Sequence, residues 1–548
     1  MKKIVVIGGV AGGMSFAARM RRLDETAEIT VIEKSGFVSY ANCGLPYYVG
    51  GVIENEDSLL LQTPQSLWKR FRLDVRTGSE VLRIDRESKQ VDVLNHADAH
   101  EYSLSYDYLI FSPGAAPIRP NLPGIERSLS LRNVEDAKRM FDVVSLKPTS
   151  AVVIGGGFIG VEMAENLVHR GIKTSIVEAQ NQVLMPLDPE MVTLVHMELE
   201  SRGVKLFLGS ALASINVKNV VLANGTEIDA DLVIMAIGVR PEVTLAKSAG
   251  LEIGERGGVK VDQFNRTSDP SIYAVGDAVE KTDALDYSAA LVPLANIANR
   301  HGRVIADHIA GKIVRPVPAQ GTAIVKVFDL TVATSGWNEK KLTAAGRNFV
   351  AVHNHPASHA GYYPGAQGMA LKLLIDRQSH QILGVQGVGK EGVDKRIDVI
   401  ATAMRGGITA PELADLELAY APPFGSAKDP VNMLGYISEN VLTGITPTVQ
   451  WHEVEKKVSE GYSILDVRSV AEVDRGTLPG AQNLPIDEIR ERKEEIPKGK
   501  ILVTCQVGQR GHAATRLLRE MGYDAVNLDG GYMTWSNSPA NNKEKVGK

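Results

Sequence analysis

Short apolar runs, each broken by a glycine turn or closed by an acid, organise the first half of the chain. Ile4–Ile7 predicts a buried strand, followed by the turn Gly8-Gly-Val-Ala-Gly-Gly13 and a helical stretch rich in alanine and arginine. A second strand is predicted over Glu28–Ile32, ending at Glu33. The pattern returns at Ala151–Ile154, with the turn Gly155-Gly-Gly157-Phe-Ile-Gly160, a helix, and a strand over 174–178 that ends at Glu178. From about Pro316 it changes to strand-like runs at Ala323–Phe328 and Met369–Ile375, with helices after Gly392. Thr443-Gly-Ile-Thr-Pro447 reads as a linker. After it comes a compact pattern: a helix near Trp451–Glu460, strands over Ser463–Val467 and Ile501–Thr504, and a helix starting near Gly511.

Strand, glycine turn, helix, strand and terminal acid form the dinucleotide-binding unit. Its turn lets a pyrophosphate approach backbone N–H groups at a helix N-terminus, and its acid bonds ribose hydroxyls. The first copy is a variant, because Val10 stands where the second glycine falls. The second has its three glycines, Gly155, Gly157 and Gly160, in register. Glu178 favours a free 2′-hydroxyl and repels a 2′-phosphate, so NADH is expected ahead of NADPH. The fold class is therefore α/β: two Rossmann-like domains, an α+β domain, and a C-terminal α/β domain.

Composition narrows the chemistry. A net charge of −5 gives no general attraction to nucleic acid or anionic membrane, so an anionic ligand must rely on local arginines. No apolar run approaches bilayer length and the first residues already read as a strand, so a cytoplasmic protein is expected. The last eight residues, 541–548, read as a frayed tail. With only two cysteines there is no disulfide framework and no cysteine-rich metal site. The histidines of His353-Asn-His-Pro-Ala-Ser-His359 have metal-like spacing, but no cysteine or paired acids accompany them. A polar loop is expected there, and no metal.

Each cysteine sits in a distinctive loop. Cys43 lies in Ser39-Tyr-Ala-Asn-Cys-Gly-Leu-Pro46, just after the first nucleotide unit, and Cys505 opens Cys-Gln-Val-Gly-Gln-Arg510 between a strand and a helix. That second turn aims backbone N–H groups and the positive helix end at the sulfur, and Arg510 adds positive charge.

With Tyr106-Asp-Tyr-Leu-Ile-Phe-Ser-Pro-Gly114-Ala-Ala-Pro117 and Ile272-Tyr-Ala-Val-Gly276-Asp277, the chain resembles the pyridine nucleotide–disulfide oxidoreductase family. The resemblance implies FAD at the first unit, held by Gly8, Gly9, Ala11, Gly12, Gly13, Glu33, Gly114, Gly276 and Asp277. It implies NADH at the second, held by Gly155, Gly157, Gly160 and Glu178. Cys43 has no nearby partner, so its thiol must form a sulfenic acid, mixed disulfide or persulfide rather than an internal disulfide. The Cys43 loop is similar to the single-cysteine branch: coenzyme A-disulfide reductases, NADH oxidases and NADH peroxidases. Oxidases and peroxidases carry a histidine in the first glycine turn, where Val10 stands here, which favours the coenzyme A-disulfide reductases.

That likeness implies coenzyme A, as substrate or bound ligand, lined by Ser15, Arg19, Arg22, Ser39, Asn42, Asn299 and Lys428. Arg19 and Arg22 are three apart and share a helix face, with Arg21 beside them. A further basic residue of the family is unmatched, since Phe71 stands between Arg70 and Arg72. The α+β region resembles a dimerisation domain, implying a homodimer that shares active sites. Tyr362 and Tyr420 match tyrosines presented to the partner's sulfur site, with Tyr363 as an adjacent alternative. A phenol can protonate a leaving thiolate.

Asp466-Val-Arg468, Glu472, Gly480–Pro485, the C-x4-R loop from Cys505 to Arg510 and Asp529-Gly-Gly531 resemble a rhodanese domain. The domains are expected at 1–112 with 241–315 (FAD), 113–240 (NAD), 316–440 (dimerisation), 441–449 (linker) and 450–540 (rhodanese). The resemblance extends to coenzyme A-disulfide reductase–rhodanese fusions, some of them NADH-dependent persulfide reductases. It implies that NADH, through FAD, reduces coenzyme A persulfide, polysulfide or coenzyme A disulfide at Cys43, releasing hydrosulfide or thiol. Cys505 relays sulfane sulfur. The alternatives are an NADH oxidase or peroxidase, a sulfurtransferase supplying a partner, and a redox-sensing binding protein.

Overall fold

A computed structural model describes residues 1–541; the rest of the expected tail lies outside the described residues. The described residues form two compact units, Met1–Val183 with Arg202–Gly321, and Leu184–Ser201 with residues 322–541.

The first unit holds two parallel sheets of the kind the apolar runs predict. In the first, the strand order is Ile272–Ala274, Tyr108–Phe111, Lys3–Ile7, Glu28–Ile32, Asp74–Arg76. Lys3–Ile7 is central and buried on both faces: Ile4 and Val6 enter one apolar cluster, Val5 and Ile7 another. That is why it reads as a continuous apolar run rather than an alternating one. The second sheet runs Lys205–Phe207, Lys173–Val177, Ser150–Ile154, Leu232–Met235. Each parallel sheet is accompanied by a three-stranded antiparallel sheet, over Ser79–Ser105 and Leu212–Asp229. Ala115–Pro117 pairs antiparallel with Val239–Pro241 where the chain passes between the two nucleotide units.

The second unit holds a five-stranded antiparallel sheet, ordered Ala323–Val327, Leu330–Gly336, Ile382–Gly389, Met369–Asp376, Phe349–Asn354. Helices Val393–Gly406 and Pro430–Leu442 share one core with it. It also holds a five-stranded parallel sheet, ordered Thr448–Val449, Asp524–Leu528, Lys500–Thr504, Tyr462–Asp466, Gln482–Asn483. Among the described residues, no helix is long and apolar enough to cross a membrane.

Two expected spans gain detail, and one expectation needs correction. Residues Leu184–Ser201, expected within the NAD-binding span 113–240, cluster with the second unit. Buried polar ties account for this: Gln386 donates to Asp188 at 2.6 Å, and Lys372 lies 2.9 Å from the same carboxylate. The linker expected at 441–449 is largely structured, since one helix runs to Leu442 and Thr448–Val449 pairs with Asn527 and Leu528. Between them Thr446 is buried, its hydroxyl 2.7 Å from His512 Nδ1. Finally, His353 is not in a polar loop. It belongs to strand Phe349–Asn354 and is buried, because carboxylates engage both ring nitrogens.

Candidate active sites

The first glycine turn is forced by close approach. Gly8 has φ +97°, and a Cβ there would lie 2.1 Å from the Ser112 carbonyl oxygen; one on Gly13 would lie 2.1 Å from the Gly8 oxygen. Val10, by contrast, has a negative φ of −110°, so the left-handed backbone that calls for glycine at Gly8 is not adopted there. The second turn repeats the geometry: Gly155 has φ +108°, and a Cβ on Gly160 would lie 1.9 Å from the Gly155 oxygen.

The closing acids behave alike. Glu33 accepts from Gly9 N–H at 2.7 Å and Ser35 N–H at 2.8 Å; Glu178 accepts from Gly156 N–H at 2.7 Å and Gln180 N–H at 2.8 Å. Each carboxylate therefore clamps its own glycine turn, with lone pairs left for a ribose. Helices Ala11–Leu23 and Phe158–His169 both begin without a side-chain cap, so their first N–H groups remain available to a pyrophosphate. A Cβ on Gly157 would meet nothing within 4 Å, which leaves room for a dinucleotide. Asp277 lies in the short turn Gly276–Ala278; burial holds its carboxyl above the usual range, and the nearby Lys281 partly offsets this. These residues fit a dinucleotide at each turn.

Cys43 lies in the turn Asn42–Gly44, ahead of helix Leu45–Gly50. The loop is stitched to its surroundings: Ser39 N–H donates to the Gly9 oxygen at 2.9 Å and Ala41 N–H to the Leu59 oxygen at 2.8 Å. Ser39 has φ +48°, a left-handed conformation uncommon for serine. The residue Cys43 keeps an exposed surface, although protein encloses much of its thiol. That enclosure pushes the thiol pKa up, and the charges of Glu162 and Asp277 push it further.

Glu162 is a candidate site residue that no sequence motif marks. It sits on helix Phe158–His169, which packs so closely on Leu45–Gly50 that a Cβ on Gly50 would fall 1.9 Å from Asn166 Oδ1. Burial raises its carboxyl to about 7, against a 3.4 Å hydrogen bond from the Tyr47 hydroxyl. The available signal was its place two residues beyond Gly160, in the first turns of the second unit's helix. Glu162→Gln is expected to lower the Cys43 pKa and raise its thiolate fraction at pH 7 a few-fold. The pH dependence of Cys43 alkylation in a Cys505→Ser background measures this.

The residues expected around coenzyme A are only partly gathered as free cations. Ser15 donates to Asn299 Oδ1 at 2.8 Å, joining helix Ala11–Leu23 to helix Ala295–Ile309. Arg19 is engaged by Asp307, with Nε at 2.9 Å and Nη2 at 2.7 Å from one oxygen, so its charge is already paired. Arg21 is buried and donates to the carbonyls of Phe71, Asp24, Glu25 and Arg72, a structural role. Arg22 stands 5.9 Å over the Phe71 ring, while Phe71 itself packs onto the core. Ser39 and Asn42 lie on the Cys43 loop itself. In the second unit, exposed Lys428 sits 5.9 Å over Tyr436.

The two tyrosines are brought together, 58 residues apart in sequence. Their hydroxyls are 3.1 Å apart, and Tyr362 is 76% and Tyr420 48% exposed. Tyr363 instead packs edge-on against His359, which separates it from the pair.

Cys505 is buried, 1% exposed, at the end of strand Lys500–Thr504. Gly508, at φ +92°, turns its N–H towards the sulfur at 3.2 Å, and helix Gln509–Glu520 follows directly. Arg510 is paired with Glu472 at 2.8 Å and 2.5 Å, holding that carboxyl down at about 2. The positive charge expected from Arg510 is thus balanced by Glu472, and the backbone supplies the direct contact to sulfur. Arg468 is buried against Asp466, reaches Gln506 Oε1 at 3.0 Å, and lies 4.4 Å over the Tyr532 ring, which braces the loop.

The pyridine nucleotide-disulphide oxidoreductase family matches residues 2–302, its dimerisation domain 322–430, and a rhodanese-like domain 450–538. The coenzyme A disulfide reductase of Staphylococcus haemolyticus is 36% identical over 440 residues, 80% of this chain and 99% of the relative. Among solved structures, reduced Bacillus anthracis CoADR-RHD is 48% identical, with a TM-score of 0.97 over 98% of both chains. The NAD-dependent persulfide reductase from A. fulgidus is 38% identical, with a TM-score of 0.92 over 97% of this chain and 100% of that one. The water-forming NADH oxidase from Lactobacillus brevis, at 24% identity and a TM-score of 0.78 over 81% of this chain and 100% of that one, shares the fold. This chain belongs to the pyridine nucleotide–disulphide oxidoreductase family. It is an FAD- and NAD-binding oxidoreductase with a C-terminal rhodanese-like domain.

Proposed function

We propose that the protein uses NADH to reduce a coenzyme A persulfide, a polysulfide or coenzyme A disulfide at Cys43, with Cys505 carrying sulfane sulfur. The observation that carries this reading is the pairing of two solitary thiols in one chain: Cys43 exposed beside the nucleotide units, Cys505 buried with an N–H donor on its sulfur. The likeness to a coenzyme A disulfide reductase and to a persulfide reductase over most of the chain supports it.

FAD bound at the first unit supplies two-electron chemistry, fed by NADH at the second. Cys43, as a thiolate, attacks the inner sulfur of coenzyme A persulfide; a Cys43–coenzyme A disulfide forms and hydrosulfide leaves with the bonding pair. With coenzyme A disulfide the same attack releases a coenzyme A thiolate. Two-electron reduction of the adduct returns Cys43 and coenzyme A as thiolates. Because the polypeptide holds the Cys43 thiol pKa up, its thiolate depends on stabilisation within the loaded site. In a homodimer sharing active sites, the Tyr362–Tyr420 pair serves as proton donor to the leaving sulfur, and Ser15, Arg22, Ser39, Asn42, Asn299 and Lys428 hold the coenzyme A moiety.

Anaerobic NADH oxidation, with coenzyme A persulfide, coenzyme A disulfide and polysulfide compared side by side, tests the reading. Turnover that instead requires oxygen or peroxide sinks it. Tyr362→Phe and Tyr420→Phe are each expected to lower kcat by roughly 10–100-fold while changing KM little. An unchanged kcat in both would assign the tyrosines to packing alone.

A further inference from the structure

Strand Phe349–Asn354 is an outer strand of the antiparallel sheet, and the rhodanese-like domain covers it. Gln450 donates from Nε2 to the Ala351 carbonyl at 2.9 Å and to Asp529 Oδ2 at 3.2 Å. His353, two residues further on, holds the same carboxylate, with Nδ1 2.6 Å from Oδ2 and its backbone N–H 3.3 Å from Oδ1. Its Nε2 lies 3.0 Å from Glu190 Oε1, an oxygen that Lys372 also holds. His355 Nε2 lies 2.7 Å from the Thr534 hydroxyl.

The shape of this joint matters as much as its charge. Gly530 has φ +66°, and a Cβ there would come within 2.9 Å of His353 Cβ. The segment gripped by the two histidines is also the one that supports the sulfur loop. Tyr532 N–H donates to the Cys505 carbonyl at 2.7 Å and Met533 N–H to the Gln506 carbonyl at 3.0 Å. A Cβ on Gly531 would lie 2.4 Å from the Cys505 oxygen. One imidazole from the dimerisation domain is therefore two short links from the Cys505 backbone.

We propose that His353 is a positioning residue for sulfur transfer at Cys505, fixing the Asp529–Met533 segment and docking the rhodanese-like domain on the sheet. The inference rests on the reading of Cys505 as a sulfur carrier. Burial alone would lower the His353 pKa, but Asp529 and Glu190 on its two nitrogens overcome burial and the nearby Lys372, and push it up to about 9. His355, the other titratable group facing it, is enclosed and pushed down to about 3, so it stays neutral at physiological pH. A His353 pKa raised above the unfolded value of about 6.5 gives docking that is complete below pH 6.5 and lost as pH rises through about 9.

Sulfur transfer by the full-length, FAD-loaded protein, with thiosulfate as donor and cyanide as acceptor, tests this. The Cys505 thiolate attacks the outer sulfur of thiosulfate; a new S–S bond forms, and the old one breaks as sulfite leaves with its electron pair. Cyanide then takes the outer sulfur as thiocyanate and returns the thiolate. His353→Gln is expected to lower kcat about tenfold with KM for thiosulfate within about twofold, and to abolish the alkaline fall near pH 9. NADH-driven reduction of coenzyme A disulfide at Cys43 should be unchanged. Wild-type transfer kinetics and a retained alkaline fall in His353→Gln would overturn the proposal. If that variant misfolds, His353→Gln/Asp529→Asn, a neutral hydrogen-bonded pair, is expected to lose the alkaline fall, and a retained fall overturns the proposal equally. Cys505→Ser run in parallel should produce no thiocyanate; if it does, the reading of Cys505 fails rather than the role of His353.

Discussion

Cys43→Ser is expected to reduce NADH-driven release of hydrosulfide or thiol by at least roughly a thousand-fold with each of the three sulfur substrates. The chain has one other cysteine, Cys505, which is buried at 1% exposure and held by a backbone donor. A serine hydroxyl is too weak an acid and too poor a nucleophile towards sulfur to substitute. NADH binding should persist, because Glu178, Gly157 and the uncapped helix start belong to the second nucleotide unit. Cys505→Ser supplies the contrast: coenzyme A disulfide should still be reduced at the wild-type rate, while transfer from thiosulfate disappears. Steady-state kinetics of both variants under anaerobic conditions decide the matter. Wild-type hydrosulfide release by Cys43→Ser would overturn the mechanism. Full turnover of Cys505→Ser with every sulfane donor would remove Cys505 from the route.

The second large effect falls on stability. Lys372 is 0% exposed, and its ammonium meets Asp188 at 2.9 Å, Glu339 at 2.8 Å and the Glu190 carboxylate. These three acids have the spacing of a cation site, and the lysine itself fills it. Lys372→Met is expected to cost about 3–5 kcal/mol, because it leaves buried carboxylates without their counter-charge. A drop in melting temperature of several degrees, with loss of the docking of Pro189–Ser201, should accompany it. Removing the acids together with the lysine should cost less than removing the lysine alone, which a multiple-mutant comparison of melting temperatures tests.

The pH dependence of this region has a definite sign. Lys372 is held above its ordinary pKa by the three acids that override its burial, so its contribution persists throughout neutral and mildly alkaline pH. Glu190 is held well below the carboxylate range by Lys372 and His353 despite burial, so its contribution is lost only in strong acid. His355, lowered by burial to about 3, contributes above pH 6.5 and loses that contribution as pH falls through 3. His353 is the group that fails first as pH rises.

Local pattern was enough for much of the site. Gly8, Gly13, Gly155 and Gly160 are required by backbone approaches under 2.5 Å, and an acid at each strand end clamps its own turn over 24 residues or fewer. The Cys43 and Cys505 loops were legible for the same reason. Less legible was the state of the charges near them. Arg19 reads as a free cation until Asp307, 288 positions away, is seen to pair with it. Arg510 likewise adds positive charge until Glu472 balances it.

By itself the sequence determined that this chain has two nucleotide units, a solitary thiol after the first, and a second solitary thiol at a strand-to-helix turn. Short-range sterics and hydrogen bonding demand particular residues at those positions, so the residues reveal the geometry. Only the tertiary structure decided that Leu184–Ser201 clusters with the second unit, that residues 441–449 are tied down, and that His353 is buried in an ion network. His353 and Asp529 are 176 residues apart, and Lys372 and Glu190 are 182 apart. A buried charge is stable only beside its counter-charge. Which distant residue supplies that counter-charge is settled by packing, and no periodicity along the chain records it.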